Sequence, residues 1–374
     1  MAANGKFSTV GVDVRMYRMS GIGRYLRSLL PALIERTDCH YTLYGYGQDE
    51  AEMEKFPRAE FVRLTSRIYH PKEHFELKKK IKPCDLYFSP HFIQPVFRIP
   101  AKRRVSTVHD VFHISDVSIY NPLQKLYMKT LYKRCIARAD KVITVSGFSR
   151  SEIERYIPAA KGKIAVIPNY IDGKVFYRPE KAELDQSKRE FAAVSGFDPG
   201  REFILYVGNI KPHKNLLRLV KAFGGIKNRS LSLLIVGGKE GFIGAEKDFD
   251  SAIAGNPNIV FTGKVSDRMI RMMYSLAKFF VFPSYYEGFG YPPLEAMACG
   301  SAAACSGIEV IREMCGDAAY YFDPMSADDI TRAVDTLDTD AGLRKELAVK
   351  GAKQAAKYTF EANIKSHIEV LFGE

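Results

Sequence analysis

Two successive series of short apolar runs, each run followed by an amphipathic stretch, restrict this chain to an α/β architecture built twice. STVGVDV, YTLYGY, DLYFS, RVSTVHD, KVITVS and KIAVIPN read as strands of a first series. Between them, GRYLRSLLPALIER and PLQKLYMKTLYKRCIARA have helical spacing. A second series opens at FILYVG and continues through LSLLIVG, NIVFTG, FFVFPS and AAYYFD. Strands that alternate with helices form parallel sheets, because a parallel neighbour is reached only through a crossover. The charged stretch DGKVFYRPEKAELDQSKREFAAVSGFDPGRE, with Pro179, Pro199 and three glycines, separates the series and puts the boundary near 175–200. At 374 residues the chain also exceeds what one core usually supports. The expected domains are 1–175 and 176–374. Three helical segments, starting near Ser326, Asp340 and Thr359, end the second, the last free to cross back onto the first.

Within the second series the string EGFGYPPLE, Glu287 to Glu295, carries the most chemistry. FFVF before it is a short buried-strand signal closed by Pro283 and Ser284. Gly288 and Gly290 let the backbone approach a ligand closely. Pro292 and Pro293 suit a first helical turn, where a missing N–H costs nothing. A helix start beneath a glycine loop is an anion site, with free N–H groups and the positive end of the dipole. One carboxylate before the loop and one inside the helix can hold hydroxyl groups on either side of that anion. The string therefore reads as a site for a phosphate flanked by sugars. Strand, glycine loop and helix is also how open α/β sheets bind ligands at their strands' carboxyl ends. The competing reading is a tight turn with solvated glutamates.

A second motif, YVGNIKPHKNL, covers Tyr206 to Leu216. Its strand ends at Val207, Gly208 allows a sharp exit, and Asn215 is placed to cap the helix LLRLVKAF. Lys214 then stands near a helix N-terminus, with Lys211 and His213 close by, where a lysine neutralises phosphate as a point charge.

Composition narrows the partners. No apolar run approaches the roughly 20 residues needed to span a bilayer, and MAANGKFSTV lacks the pattern of a signal peptide. Six cysteines without a CxxC pair suggest reduced thiols in a cytoplasmic protein and argue against zinc. Net charge is +12, and residues 1–176 hold 30 Lys and Arg against 17 Asp and Glu, so all of the excess lies in the first half. That asymmetry points to an anionic partner there, whether nucleic acid, membrane surface or phosphorylated substrate. No nucleic-acid module is visible, and no GxGxxG fingerprint follows the first strand as a dinucleotide-dependent oxidoreductase requires.

EGFGYPPLEAMACG together with VGNIKPHKNL resembles the retaining glycosyltransferases of the GT-B fold, specifically glycosyltransferase family four, over essentially the whole chain. GVDVRMYRMSGIGRYLRSLLPAL, VHD at 108–110, VITVSGFSRSEI, VIPNYID and TGKVSDRMIRMMYSLA fall where that family has similar strings. The resemblance implies two Rossmann-like domains facing each other across a cleft, the first binding acceptor and the second the nucleotide-sugar donor. It implies that Glu295 binds ribose hydroxyls, and that Glu287 with the backbone of Gly288, Phe289 and Gly290 holds the transferred sugar. Lys214 is expected at the diphosphate, with Gly208 and Asn209 in the same loop and the Lys264–Val265 backbone facing the base. Gly21 and Gly23 are expected to let the first-half loop approach the phosphates, and His109 to reach the donor sugar. Asn209 departs from the arginine frequent at that position; it lacks the charged planar fork, and Lys211 or His213 stands nearest to compensate. Phe360 replaces a frequent tryptophan.

The resemblance also implies retention of anomeric configuration, no obligatory metal and no cofactor beyond the donor, with GDP-mannose favoured by the GIGRY and PxKN strings. The expected acceptor is a glycan or polyprenyl-diphosphate-linked oligosaccharide in cell-surface polysaccharide synthesis. The alternatives are a non-catalytic nucleotide-sugar binder and, more weakly, an epimerase or phosphorylase. Asp13 and Arg15 either line the acceptor side or form a buried ion pair, and Ser149 with Glu152 reads as a capping box. His109 either meets the donor or pairs with Asp110; His113 and His91 are nearby substitutes. Finally, Leu123, Tyr127, Leu131 and Ile136 lie at helical spacing among Lys125, Lys129, Lys133, Arg134 and Arg138, which suits docking on an anionic inner leaflet.

Overall fold

The computed structural model describes residues 7–19, 21–195, 197–198, 200–238 and 251–373. In the first unit seven strands form one parallel sheet: β1 (Thr9–Asp13), β2 (His40–Tyr46), β3 (Ala59–Leu64), β4 (Cys84–Ser89), β5 (Ala101–Thr107), β6 (Lys141–Thr144) and β7 (Ile164–Val166). Their order is β3-β2-β1-β4-β5-β6-β7, every pairing parallel. Six strands build the second: β8 (Phe203–Val207), β9 (Ser232–Val236), β10 (Ile259–Gly263), β11 (Phe279–Phe282), β12 (Ala303–Ser306) and β13 (Tyr320–Phe322). They lie in the order β10-β9-β8-β11-β12-β13, again parallel throughout.

Each sheet reverses its winding once, between β1 and β4 in the first and between β8 and β11 in the second. Such switch points, at the carboxyl ends of the strands, are where open α/β sheets leave a crevice for ligands. β8 leads into the lysine motif and β11 into the glutamate loop, so both motifs leave the same switch point. The central strands β8, β9, β11 and β12 are buried at every residue, as expected with helices on both faces.

Two strands escaped the sequence reading. β12 is Ala303–Ser306, whose small residues continue the composition of the preceding helix instead of announcing a strand. β3, AEFVRL, has only Leu64 buried and lies at the sheet edge, so its apolar signal is diluted by solvent-facing charge.

The two units are Met1–Asn169 with Glu361–Glu374, and Tyr170–Phe360. The division thus falls ahead of residue 175, and the end of the chain returns to the first unit. The terminal helix Phe360–Phe372 buries Ile364, His367 and Leu371. Tyr25 OH and His367 Nε2 are 2.7 Å apart, Asn363 Nδ2 donates to the Pro168 carbonyl (2.7 Å), and Arg103 donates to the Val370 carbonyl (2.9 Å).

The helix Pro122–Arg138 corrects one expectation. Leu131 and Ile136 point into the first unit's core with Met128, Tyr132 and Cys135, whereas Leu123, Leu126 and Tyr127 are exposed. Its apolar residues divide between two faces because the sheet takes the stripe centred on Met128 and Leu131. A second correction concerns the helix Gly147–Tyr156: its cap is Ser146, whose side chain accepts from Ser149 N (3.0 Å). Ser149 is then one turn inside, and its hydroxyl donates to the His109 carbonyl (3.1 Å). Among the described residues no helix is long and apolar enough to cross a membrane.

Candidate active site

The glutamate loop takes its shape from one glycine. Gly290, at the N-cap of the helix Tyr291–Ala298, has φ +114°, and a Cβ there would lie 2.7 Å from Ile311 Cδ1. No L-residue suits both the dihedral and the space. Pro292 and Pro293 follow in the first turn, where their missing N–H groups cost nothing, and the positive end of the helix dipole lies next to the loop. Phe289 is buried and packs edge-on against Tyr291 (ring centroids 5.2 Å) and Tyr358 (5.7 Å). Those aromatic contacts hold the loop from behind.

The lysine motif is stapled to this loop. Lys214 Nζ donates to Glu287 Oε1 at 2.5 Å, with both side chains mostly buried. The ammonium also stands 5.7 Å from the centroid of the Phe282 ring. Tyr285 N donates to the His213 carbonyl (2.9 Å). Asn215 is the helix N-cap by position, but its side chain does not cap. Its backbone is left-handed (φ +60°), which turns the amide away from the helix so that Nδ2 donates to the carbonyls of Pro283 (3.0 Å) and Pro324 (2.6 Å). Asparagine is among the few non-glycine residues that adopt this conformation readily. The expected capping role is thus replaced by a tie between the β8 loop and the β11 loop.

A third loop joins them. Gly208 N donates to the Val236 carbonyl (2.9 Å), Ile210 N to the Gly238 carbonyl (3.1 Å) and Gly237 N to the Gly263 carbonyl (3.0 Å). A Cβ on Gly237 would sit 1.9 Å from the Gly208 oxygen, so only glycine permits this approach. Gly237 and Gly238 were not among the expected site residues; the doubled glycine directly after LSLLIV was the available signal. Lys264 is exposed, its Cε lying where a Cβ on Gly238 would be (2.6 Å), and Val265 beside it is half-buried. Asn209 is half-buried, and its carbonyl accepts from Lys211 N (3.1 Å).

Glu295 lies inside the helix, only 3% exposed, and Tyr274 OH donates to its Oε2 (3.2 Å). A buried carboxylate needs such partners, since desolvation otherwise disfavours its charge. The structure therefore brings Lys214 to Glu287 at the head of the Gly288–Phe289–Gly290 loop, with Glu295 buried in the helix that follows.

In the first unit the carboxyl ends of β1 and β4 meet in a closed network. Arg15 Nη2 is 2.6 Å from Asp13 Oδ2, Arg15 Nη1 is 2.7 Å from Glu73 Oε2, and His91 Nε2 is 3.2 Å from Asp13 Oδ2. All four side chains are buried, so Asp13 and Arg15 form the ion pair that was one of their two readings. Burial alone would raise the Asp13 carboxyl, but Arg15 and His91 hold it well below the usual range. This network braces the β1 and β4 ends.

His109 follows β5. Its Nε2–H donates to the Pro90 carbonyl (2.9 Å), which fixes the tautomer and leaves Nδ1 as the acceptor. Burial lowers its pKa, keeping the ring neutral. Asp110 instead accepts from Phe112 N (3.0 Å), closing its own turn. Tyr25 packs edge-on against His109 at 5.0 Å. Gly21 stands exposed at the start of the helix Gly21–Arg36, and nothing lies within 4 Å of the Cβ it lacks. Gly23 is buried against the Tyr17 carbonyl, where a Cβ would approach to 2.4 Å. His113 Nδ1 lies 3.2 Å from Tyr132 OH, and the ring lines an aromatic cavity with Tyr69 and Tyr120.

The comparisons agree with this architecture. Residues 187–354 match the family model for glycosyl transferases group 1, and residues 19–174 that for glycosyltransferase family 4. The chain is 29% identical to O-antigen chain mannosyltransferase B of Escherichia coli, over 92% of this chain and 94% of that protein. It is 28% identical to the serotype-specific mannosyltransferase WbdA of Escherichia coli over 73% of this chain, spanning 34% of that longer protein. Anabaena Alr3699/HepE, solved in complex with UDP and glucose, superposes with a TM-score of 0.77 at 15% identity, covering 97% of this chain and 99% of that one. The chain belongs to the GT-B glycosyltransferases that join a family 4 domain to a group 1 domain.

Proposed function

We propose that this glycosyltransferase moves mannose from GDP-mannose to a growing surface polysaccharide or its lipid-linked precursor, with retention at the anomeric carbon and without a metal ion. The observation that carries the reading is the Lys214–Glu287 pair at the β8/β11 switch point, just ahead of the helix that carries the buried Glu295. The choice of sugar is supported by the relatives, which are named an O-antigen chain mannosyltransferase and a serotype-specific mannosyltransferase.

In this reading the C1–O bond to the β-phosphate breaks while the acceptor oxygen bonds to C1 on the same face. The acceptor proton passes to the departing phosphate oxygen. Lys214, already charged and positioned by Glu287, shifts its donors to the diphosphate as negative charge develops there. The positive end of the helix that follows Gly290 stabilises the same charge. Glu287 then turns its carboxylate to the sugar hydroxyls, and Glu295 holds the ribose. His109 Nδ1 accepts from a donor hydroxyl, its ring kept neutral by burial. The expected setting is the inner face of the plasma membrane, where lipid-linked acceptors reside.

Labelled GDP-mannose, UDP-glucose and dTDP-rhamnose, each incubated with the purified chain, a polyprenyl-linked acceptor fraction and EDTA, test the reading. Mannose incorporation that survives EDTA supports it. Preference for another donor, or a strict metal requirement, overturns the corresponding part. Tight binding of GDP-mannose with no transfer to any acceptor favours the non-catalytic alternative.

A further inference from the structure

One surface of the first unit is left over by the sugar chemistry. A cavity of about 430 Å³ is lined by Tyr69, His113, Tyr120, Leu123, Tyr127 and Met128, all belonging to that unit. This volume lies in the range of small-ligand sites. Leu123 in its lining is 79% exposed, and close by in the chain Leu126 is 63% exposed, with Ile119 and Val117 also in solvent. Isolated exposed leucines are ordinary, but a contiguous group beside an apolar cavity marks an interaction surface.

The cavity walls are built and held. Asn121 and Gln124 form a reciprocal capping box that fixes the start of the helix Pro122–Arg138. Tyr69 adopts φ +69°, a conformation that is an outlier for a bulky side chain. Its N–H donates to Glu73 (2.9 Å), its carbonyl accepts from Tyr127 OH (3.0 Å), and its ring stacks on Phe92 at 5.7 Å. Surroundings that impose an unfavourable backbone are a sign of function at that position.

Charge selects the occupant. From Val117 to Arg138 the chain carries five Lys and Arg residues and no Asp or Glu. Leu123, Leu126 and Tyr127 are exposed on the helix beside the buried Met128, and the exposed Lys129, Lys133 and Arg134 follow toward its C-terminus. Apolar side chains flanked by cations, with tyrosines between, match the boundary between acyl chains and anionic headgroups.

We infer that this surface docks on an anionic phospholipid bilayer: Leu123 and Leu126 enter the acyl region, the cavity receives one lipid hydrocarbon chain, and the lysines lie among the phosphates. The inference deepens the lipid-linked acceptor reading but does not depend on which sugar is moved. Failure to bind vesicles leaves the transfer chemistry standing, and failure to transfer mannose leaves the docking standing.

The chain contains no tryptophan, so Leu126→Trp supplies a sole reporter. With phosphatidylglycerol–phosphatidylcholine vesicles at low salt, its emission should shift to the blue and be quenched by acyl-chain doxyl lipids. Raising salt should release it, because the attraction acts only within a Debye length. Lys129→Gln with Lys133→Gln should weaken partitioning about 20- to 30-fold, at roughly fivefold per basic residue. Leu123→Asp should abolish quenching while leaving the thermal midpoint unchanged, since the side chain is solvent-exposed. No partitioning into anionic vesicles at low salt overturns the inference, as does partitioning indifferent to Leu123→Asp. A blue shift produced by soluble glycan, with none from vesicles, would make the cavity a saccharide site instead.

Discussion

Lys214 and Glu287 form an ion pair at 2.5 Å, and that pairing sets what their substitutions should do. Lys214→Ala removes the positive charge meant for the leaving diphosphate, so turnover should fall by roughly 10² to 10³ at saturating donor. Glu287→Gln leaves Lys214 charged and removes a sugar ligand, so turnover should fall while nucleotide affinity holds or rises slightly. Steady-state kinetics together with calorimetric titration of the free nucleotide separate the two. Equal losses of nucleotide affinity in both variants would mean that the pair only maintains the loop. Much of this site was legible in the sequence, because glycines, prolines and paired carboxylates carry backbone and charge chemistry that composition exposes directly. Asn215 was not. Its type suggested a helix cap, but its left-handed backbone sends the amide to Pro283 and Pro324, and such a dihedral is set by the neighbouring strand end.

Among the elements, glycine positions separate structural need from ligand approach. Gly290→Ala forces a side chain into a positive-φ site with Ile311 in the way, at a cost of about 1–3 kcal/mol. The thermal midpoint should drop and donor binding weaken together. Gly21 is the opposite case, for its missing Cβ has open space and it lies on a helix. Gly21→Ala should leave stability unchanged or raise it by up to about 1 kcal/mol. If the backbone at Gly21 must approach a phosphate, kcat/KM should still fall; unchanged kinetics would remove Gly21 from the site. The alternation of strands and helices, and hence the two sheets, could be read because buried parallel strands are nearly continuous apolar runs. β12 could not, because AACS owes its strand conformation to its neighbours β11 and β13 and not to its own residues.

For the whole molecule, the return of the terminal helix to the first unit is a long-range event that no local pattern encodes. It places His367 against Tyr25, so that the first unit holds three imidazoles whose pKa burial lowers, His74, His109 and His367. Burial holds both His74 and His367 down at about 4 and also lowers His109. A histidine with a depressed folded pKa takes up protons more readily when unfolded, so the first unit loses stability as pH falls below 6.5. Between pH 7 and 5 each of His74 and His367 should remove about 2 kcal/mol, with His109 adding to the loss. The second unit contains a single histidine, His213, near its surface, and should change far less over this range. Urea unfolding at both pH values, read by pulse proteolysis and mass assignment of the surviving fragments, distinguishes the units. At pH 5 the first unit should be cleaved at lower urea while the second keeps its pH 7 midpoint. His367→Gln, which cannot charge, should return part of the lost midpoint at pH 5 relative to pH 7. Equal acid sensitivity of both units, or a His367→Gln variant with an unchanged slope, would show that these imidazoles are hydrated or charged in the folded chain.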